Sequence, residues 1–427
     1  MRFSHTHFSL LELACVKDLE SIDFEITESD ETGAIISCSQ QSALRLIHRL
    51  GASYKIARIL KEPTVGEAVR LLELPYVDKF NWTISGYNTN VPDIEEAKEE
   101  IRDFLKEKNL GRSKFIDPLT NQMEDADSDP RSEEGRFQFR EVKASDLLSR
   151  VFGVHSDQRK RSKGQRESAS MLEGIDFVVH GGIGDSGPFF ADTIGMSDIA
   201  GFETRDFARP YQDPTLTLSP RIARAIVNMA AINTGGVMLD PFCGLGTFLQ
   251  EAVVLGYSAI GIDKNADLVS RAKTNLRWTL EEFLTGGVRG STRVQIIRQD
   301  ARRIHELALP RVDFIASEPI LLPSFKKNPS SREANYLINE SEQIYEAALE
   351  NLGPLLSSPN SRIALTTPTI IDSGGRAHSV SIADPARKAG LSQFWPKSLR
   401  NRKTYPLRIE SAKKKIVLRN LNLFALG

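Results

Sequence analysis

Three aspartates and two glycines have residue types and a spacing suited to holding a nucleotide-like ligand. Asp240, Asp263 and Asp300 each follow an apolar, strand-like run, and Gly244 and Gly246 come shortly after the first of them. Glycine lets a backbone loop approach a ligand closely, and an acid at the end of the next strand can accept hydrogen bonds from two ribose hydroxyls. Taken singly, each aspartate could be an ordinary loop or capping residue. Their shared position at strand ends predicts a ligand site.

The glycine spacing separates two kinds of cofactor. A dinucleotide fingerprint continues Gly-x-Gly-x-x-Gly so that a helix N-terminus can meet a pyrophosphate, but Leu249 stands where the third glycine would be. S-adenosylmethionine has no phosphate to hold. Its amino-acid part needs an acid near the first strand, which Asp240 could supply, and its adenine amine needs an acceptor, which Asp300 could supply. The pattern therefore favours S-adenosylmethionine.

From residue 171 onward, strand-like and helix-like segments alternate, and this alternation predicts the scaffold that positions the acids. The strand-like segments include "GVMLDPF", "AIGID", "VQIIRQD" and "VDFIASEP", and the helical ones include "TFLQEAVVLG" and "ADLVSRAKTNLRWTLEEFL". Such alternation specifies a mostly parallel sheet with helices on both faces, whose ligands bind beyond the carboxyl ends of the strands. Upstream, Ser219 and Pro220 are the expected N-cap and first residue of another helix.

The first 170 residues follow a different pattern and predict a smaller α+β region. "KFNWTISGYN" alternates like a strand, and "DIEEAKEEIRDFLKEKNLG" is an amphipathic helix. Residues 117–170 combine acidic and basic loops with one short helical segment. We therefore divide the chain into an α+β region at residues 1–170 and an α/β domain at residues 171–427.

Composition limits the class of protein. The chain has 427 residues and a formal net charge of −1, which excludes a globally basic nucleic-acid binder but not a local basic face. Cys15, Cys38 and Cys243 are too scattered for a disulfide framework or a zinc site, so we expect no metal. The sequence shows no signal peptide and no apolar run long enough to span a membrane, so we expect a soluble, cytoplasmic protein.

Several segments resemble the THUMP-associated RNA guanine-N2 methyltransferases, the family of the tRNA guanosine methyltransferases of archaea and eukaryotes. They are "FETRDFARPYQDPTLTLSPRIARAIVNMA", "DPFCGLGTFLQEA", "GIDKN" and "RQDAR". The resemblance covers residues 171–427 and weakens before them to a looser likeness to a THUMP-type RNA-binding region. It implies a Rossmann-like, seven-stranded class I methyltransferase domain after a smaller α+β THUMP-like region. It also implies further cofactor-site residues, namely Pro241, Phe242, Thr247, Lys264 and Ala301.

The segment after the fourth strand departs from the family pattern. Family members carry Asp-Pro-Pro-Tyr there, where the acid and the adjacent carbonyl hold the exocyclic amine and the ring stacks on the base. This chain has "SEPILLPSF", so Glu318 and Pro319 follow Ser317 and no aromatic residue occupies the ring position. The resemblance implies Glu318 as the acid that orients the amine, with Ser317 and Pro319 beside it. Phe325 is the nearest ring that could replace the missing one.

The resemblance implies transfer of a methyl group from S-adenosylmethionine to the N2 amine of a guanosine in RNA, with tRNA as the expected substrate. Some family members work with a small activator subunit, and nothing in this chain shows whether this one does.

Two alternatives stay open: a non-catalytic RNA-binding protein that retains the cofactor pocket, and an amino-methyltransferase that acts on another base or on DNA. Methylation of a pyrimidine carbon is disfavoured because no cysteine follows Cys243. Basic and aromatic residues at 159–166 and 395–408 are candidate RNA contacts.

Overall fold

The chain divides into two compact units, as seen in a computed structural model. Unit 1 is formed by Phe24–His48 and Tyr54–Ala200, and unit 2 by Arg2–Asp23, Arg49–Ser53 and Gly201–Gly427. The structure describes residues 6–30, 33–60, 81–108, 114–115, 174–213, 218–284, 292–319, 322–402, 407–409 and 416–426. Residues 174–200, which the sequence division places in the second region, belong to unit 1 in the structure. The predicted charged loops at 117–170 lie wholly outside the described residues.

Unit 1 is an α+β structure with a mixed sheet. After helix α1 (Thr6–Glu20), which belongs to unit 2, its elements are β1 (Phe24–Ser29), β2 (Ala34–Cys38), α2 (Gln40–Arg49), β3 (Lys55–Leu60), β4 (Asn81–Tyr87), α3 (Val91–Glu107), β5 (Lys114–Phe115), β6 (Gly174–His180) and β7 (Phe189–Met196). Strands β1 and β2 form an antiparallel pair, and the other strands form a larger sheet in the order β3-β7-β6-β4-β5.

Helix α3 covers this sheet with the apolar face that its sequence predicts. Asn90 caps its start by accepting a hydrogen bond from the backbone N–H of Asp93 at 3.0 Å. Ala97 and Ile101 are buried in one apolar cluster with Trp82 of β4. The 3.6-residue spacing of the apolar positions therefore determines which face of the helix meets the sheet.

Unit 2 contains the predicted alternation of strands and helices. Its elements are α4 (Ile199–Phe207), α5 (Pro220–Ala230), β8 (Val237–Asp240), α6 (Thr247–Val254), β9 (Ser258–Asp263), α7 (Ala266–Phe283), β10 (Val294–Arg298), β11 (Phe314–Ser317), α8 (Ser331–Leu352), β12 (Arg362–Ile371), β13 (Ala377–Ser379), α9 (Ala383–Lys388), β14 (Leu391–Gln393), β15 (Leu407–Arg408) and β16 (Val417–Leu426). Short 3₁₀ helices at Ala301–Glu306, Gly353–Leu355 and Lys397–Arg402 complete the set in the described part of the chain. Ser219 precedes α5 as expected, but its side chain makes no capping hydrogen bond.

The strands of unit 2 form one sheet in the order β10-β9-β8-β11-β12-β16-β14, with β13 beside β12 and β15 beside β16. The first five strands of this order are parallel, whereas β16 runs antiparallel to its neighbour β12. This seven-strand path with a reversed β16 is the arrangement of a class I methyltransferase, and it confirms the predicted fold class. Strand order reverses between β8 and β11, so the ligand crevice of such a sheet lies beyond the carboxyl ends of these two strands.

Candidate active site

The switch point of the sheet brings Asp240 and Ser317 together. Asp240 ends β8 and Ser317 ends β11, and the two strands are hydrogen-bonded neighbours. The Ser317 hydroxyl donates to Asp240 Oδ1 at 2.5 Å, and the backbone N–H of Phe242 donates to the same oxygen at 3.1 Å. Both side chains are buried. The carboxylate predicted to follow the first strand is therefore held in a fixed orientation at the crevice.

The second carboxylate oxygen of Asp240 has a different environment. Oδ2 is buried and has no hydrogen-bond partner among the described residues. Burial is the main cause that raises the pKa of Asp240 to about 7, and the charges of Asp263 and Glu318 raise it further, while the bonds from Ser317 and Phe242 lower it. A buried polar atom that lacks a partner is costly, so this oxygen is suited to a ligand that brings a donor or a positive charge.

The glycine loop lies between β8 and α6 and is tied to Asp263. Gly244 and Gly246 have φ values of +50° and +86°, which glycine adopts without strain. Asp263 Oδ2 accepts from the backbone N–H of Gly244 at 3.0 Å. Within the loop, Cys243 is buried, and burial raises the pKa of its thiol well above its ordinary value, which favours a structural role over a nucleophilic one.

The third predicted acid lies at the same edge of the sheet as the second. Asp300 follows β10, whose last residue is in register with Asp263. It caps the 3₁₀ helix at Ala301–Glu306, and the Arg302 side chain donates to its two oxygens at 3.0 and 2.6 Å. These bonds hold the pKa of Asp300 down, at about 2. Asp300 is therefore a charged acceptor that any ligand would share with Arg302.

The remaining predicted cofactor residues surround these acids. Pro241 is buried, Phe242 is partly buried against the core of the sheet, and Ala301, the first residue of the 3₁₀ helix, is buried. Lys264 is exposed, and its backbone carbonyl accepts from Arg298 Nε at 3.4 Å.

Glu318 follows Ser317 directly and forms an ion pair with Arg419 of β16 through Oε1 and Nε. The exposed fraction of the side chain is 10% for Glu318 and 28% for Arg419. Pro319 is buried. Sequence reasoning missed Arg419, because it lies 101 residues after Glu318 and no motif marks it.

Phe325, the ring that could replace the missing aromatic residue, already packs against other side chains. Phe325 is half-buried and packs against the hydrophobic core of unit 2. Residues 320 and 321 lie outside the described part of the chain. A side chain that already packs against the core is less suited to stack on a base.

The arginines of the segment "FETRDFARPYQ" bind side chains of helix α6, a structural role that the sequence alone does not reveal. Arg209 is buried and donates to Thr247 Oγ1 at 2.9 Å, at the first residue of α6. Arg205 and Arg224 both donate to the buried carboxylate of Glu251 in the same helix, at 2.5 and 2.8 Å through their Nε atoms. Arg205 and Arg209 of this segment, with Arg224 of α5, thus hold the helix that begins at the glycine loop.

The candidate RNA contacts near the C-terminus are only partly described. Lys397 is exposed, whereas Trp395 is half-buried and its indole N–H donates to the carbonyl of Leu399 at 2.7 Å. Lys403, Tyr405 and the basic segment 159–166 lie outside the described residues. Trp395 therefore has a structural contact, and the rest of the cluster remains a prediction.

The segment that contains these residues is similar to a known protein family. Residues 207–319 match the family model described as "UPF0020: RMKL-like, methyltransferase domain". The chain contains a methyltransferase domain. The matched segment begins in the arginine-rich run, includes the glycine loop and the three aspartates, and ends at Pro319.

Relatives of the methyltransferase domain include two archaeal proteins, each called tRNA (guanine(10)-N2)-dimethyltransferase. The one from Methanocaldococcus jannaschii is 26% identical over 264 residues, which cover 57% of this chain and 66% of the relative. The one from Methanothermobacter thermautotrophicus is 29% identical over 170 residues, covering 39% of this chain and 44% of the relative. The aligned parts thus span less than two thirds of these relatives. A solved structure, TrmN from Thermus thermophilus, aligns with 100% of this chain and 98% of its own at 15% identity and a TM-score of 0.49.

The residues at the crevice fit S-adenosylmethionine, the methyl donor of class I methyltransferases. Asp240 Oδ2 offers a buried acceptor without a partner among the described residues, which suits an ammonium group. In the glycine loop, an added Cβ at Gly244 would meet nothing within 4 Å, so the backbone there is open to close approach by a ligand. In the described part of the chain, no group of three or more His, Cys, Asp or Glu side chains is placed to hold a metal ion. Among the same residues, no helix is both long and apolar enough to cross a membrane.

Proposed function

We propose that the protein is an S-adenosylmethionine-dependent RNA methyltransferase that methylates the exocyclic N2 amine of a guanosine in tRNA. The observation that carries this proposal is that Glu318, Ser317 and Asp240 lie side by side at the switch point of the sheet. Glu318 directly follows Ser317, and Ser317 binds Asp240 beside the glycine loop. An acid that can hold an amine therefore lies next to the residues that fit the cofactor. The two archaeal relatives are called tRNA (guanine(10)-N2)-dimethyltransferases, which supports guanine N2 as the acceptor.

The proposed cofactor contacts follow from the positions of the three acids. Asp240 Oδ2 would accept from the ammonium group, Asp263 would accept from the ribose hydroxyls, and Asp300 would accept from the adenine amine. Pro241, Phe242, Gly244, Gly246, Thr247, Lys264 and Ala301 would form the surrounding surface. When bound, S-adenosylmethionine supplies an electrophilic methyl group on a positively charged sulfur.

Glu318 would have two effects on the acceptor amine. A guanine N2 amine is a poor nucleophile because its lone pair is conjugated with the ring, so it must be oriented toward the methyl group. A hydrogen bond from the amine to the Glu318 carboxylate supplies this orientation. The same carboxylate stabilises the positive charge that develops on the nitrogen as the new N–C bond forms, and it can accept the proton that the amine then loses. The buried Pro319 restricts the backbone that follows the acid.

The test is nucleoside mass spectrometry on unmodified tRNA and ribosomal RNA incubated with the protein and labelled S-adenosylmethionine. We expect label in N2-methylguanosine from tRNA, and a loss of about 100-fold or more in Glu318→Gln with cofactor affinity retained. Glu346→Gln is a matched control, because Glu346 also forms an ion pair, with Lys388 at 2.8 Å, but on α8.

Other outcomes would contradict the proposal in distinct ways. Label in adenine nucleosides alone, or label only in DNA when DNA is supplied as a parallel substrate, would assign the domain to another acceptor. Cofactor binding with no label in any nucleoside would favour a non-catalytic RNA-binding protein. Full activity of Glu318→Gln would show that another group orients the amine.

A further inference from the structure

Arg419 contacts the proposed amine-orienting acid from the opposite side of a neighbouring strand. It lies on β16 in register with Pro368 of β12. Strand β11 ends at Ser317, opposite Leu365, whereas β12 continues to Ile371. Arg419 therefore reaches Glu318 across the part of β12 that extends beyond the end of β11, at the carboxyl edge of the parallel strands.

The ion pair places hydrogen-bond donors beside acceptors at the crevice. Arg419 meets Glu318 through Nε, and a guanidinium carries five N–H donors in a fixed planar fork. The carboxylate of Glu318 accepts only. The side chain of Arg419 is 28% exposed and that of Glu318 is 10% exposed, so solvent reaches the pair mainly on the Arg419 side. A ligand that enters from solvent would meet both groups.

The Watson–Crick edge of guanine has the complementary order of groups. Its N2 amine and N1–H are donors, and O6 beside them is an acceptor. A carboxylate can accept from the two donors while a guanidinium donates to O6, which arginine also contacts in specific DNA recognition. Enzymes that modify a base read its Watson–Crick edge after flipping it from the stack. The pair formed by Glu318 and Arg419 thus matches guanine at three positions.

We propose that Arg419 donates to O6 of the target guanine while Glu318 holds its N2 amine. Arg419 is then a specificity-determining residue, and this role rests on the proposed function. The contact from Arg419 would also contribute to base recognition at a site where the segment after β11 lacks the aromatic residue of the family pattern. Polar contacts to the base edge would replace part of what a stacked ring supplies.

The test compares two substrates that differ at O6. Ligated tRNAs carry either guanosine or 2-aminopurine riboside at the position methylated by the wild-type protein. 2-Aminopurine keeps the N2 amine but lacks O6 and the N1 proton. The ratio of kcat/KM for guanosine to that for 2-aminopurine is measured for wild type and for Arg419→Met, which keeps an extended apolar stem and removes the fork. The missing N1–H contact affects both proteins alike, so a change in the ratio reports O6.

We expect the ratio to fall by about tenfold or more in Arg419→Met, because the substitution should lower kcat/KM for guanosine and change kcat/KM for 2-aminopurine only slightly. Arg387→Met is the control: Arg387 is an exposed arginine with an acid partner, Asp384, and its loss should leave both rates unchanged. Arg419→Lys is the second variant, which keeps the charge and allows the comparison if Arg419→Met folds poorly. It should lower the ratio to a smaller extent because lysine lacks the planar fork.

An equal loss of rate on both substrates in Arg419→Met and Arg419→Lys would overturn the inference. It would show that Arg419 only positions Glu318. Absence of guanosine methylation by the wild-type protein would instead overturn the proposed function, and this inference with it. The two failures are therefore distinguishable.

Discussion

Ser317 and Asp240 are joined by a hydrogen bond that links the end of β11 to the end of β8 at the switch point of the sheet. The bond and the contact from Phe242 stabilise the charged carboxylate, but complete burial of Asp240 opposes them and places its pKa at about 7. Near neutral pH this side chain therefore changes between a neutral and a charged form.

Asp240→Asn should increase the stability of the cofactor-free protein, and the gain should grow with pH. The pKa of Asp240 is about 7 in the folded protein, against an ordinary value of 3.8. Between these values the folded state binds more protons than the unfolded chain, so the wild-type free energy of unfolding falls as pH rises and levels off above pH 7. Asparagine does not titrate. Chemical denaturation between pH 4.5 and 8.5 should show a gap that reaches about 1 to 4 kcal/mol.

A gap that does not widen with pH would contradict the raised pKa of Asp240. Asp384→Asn provides the baseline, because Asp384 lies on the surface with 76% of its side chain exposed. Its replacement should change stability by less than about 0.5 kcal/mol at every pH.

Ser317→Ala should move the pH dependence of cofactor affinity toward higher pH. The bond from Ser317 lowers the pKa of Asp240, so its removal raises that pKa further above 7. If the charged form of Asp240 binds the ammonium group, affinity falls as pH drops through this pKa. Calorimetric titration with S-adenosylhomocysteine at pH 6 to 8.5 should show a higher midpoint for the variant. Ser341→Ala removes another buried hydroxyl, which donates to Leu337 within α8, and should leave the midpoint unchanged.

The sequence predicted the positions of the acids well because a local pattern determines them. Asp240, Asp263 and Asp300 each come after a strand, and parallel strands present their carboxyl ends at one edge, so the alternation alone places these residues together. Arg419 could not be found in this way. Its contact with Glu318 depends on the register of β16 against β12, which nothing near either residue specifies.

The division of the chain was harder to predict for a similar reason. Strands β6 and β7 precede the α/β alternation and resemble its strands in apolar content, but they pair with β4 and β3 of unit 1. Segments before β6 separate these partners by many residues. Non-local pairing of this kind leaves no periodic signal in the sequence, so the boundary depends on tertiary structure.

Gly246→Ala should weaken cofactor binding beyond what its effect on stability explains. Gly246 has φ +86°, and an added Cβ would lie 3.6 Å or more from its neighbours, so the substitution strains the backbone without a clash. Gly375, in the turn between β12 and β13, has φ +79° and nothing within 4 Å of an added Cβ. Each alanine should cost about 1 to 2 kcal/mol in thermal or chemical unfolding.

Cofactor affinity should separate the two glycine variants. The loop that contains Gly246 must shift to relieve the strain, and it is the loop beside Asp240, so affinity should fall in this variant only. Equal affinity in Gly246→Ala and Gly375→Ala would argue against a cofactor contact at the glycine loop.

Glu251→Gln should be the most destabilising of these changes. Glu251 and Arg205 are fully buried, and Arg224, with 5% of its side chain exposed, donates to the same carboxylate. Glutamine keeps the shape of glutamate but leaves two buried guanidinium groups without a negative partner at this position. Loss of one member of a buried ionic network costs about 3 to 5 kcal/mol. Denaturant unfolding at pH 7, beside the exposed pair variant Asp384→Asn, measures the difference.

The same network allows a test of whether the α6 helix depends on hydrogen bonds of fixed geometry within the network or only on the balance of its buried charges. A triple variant, Arg205→Met, Arg224→Met and Glu251→Met, removes every charge together and keeps side chains of similar length. Because the desolvation cost of buried ions can equal their attraction, we expect the triple variant to be far less destabilised than Glu251→Gln. Equal loss in both variants would mean that hydrogen bonds of fixed geometry, which methionine cannot make, hold the helix that begins at the glycine loop.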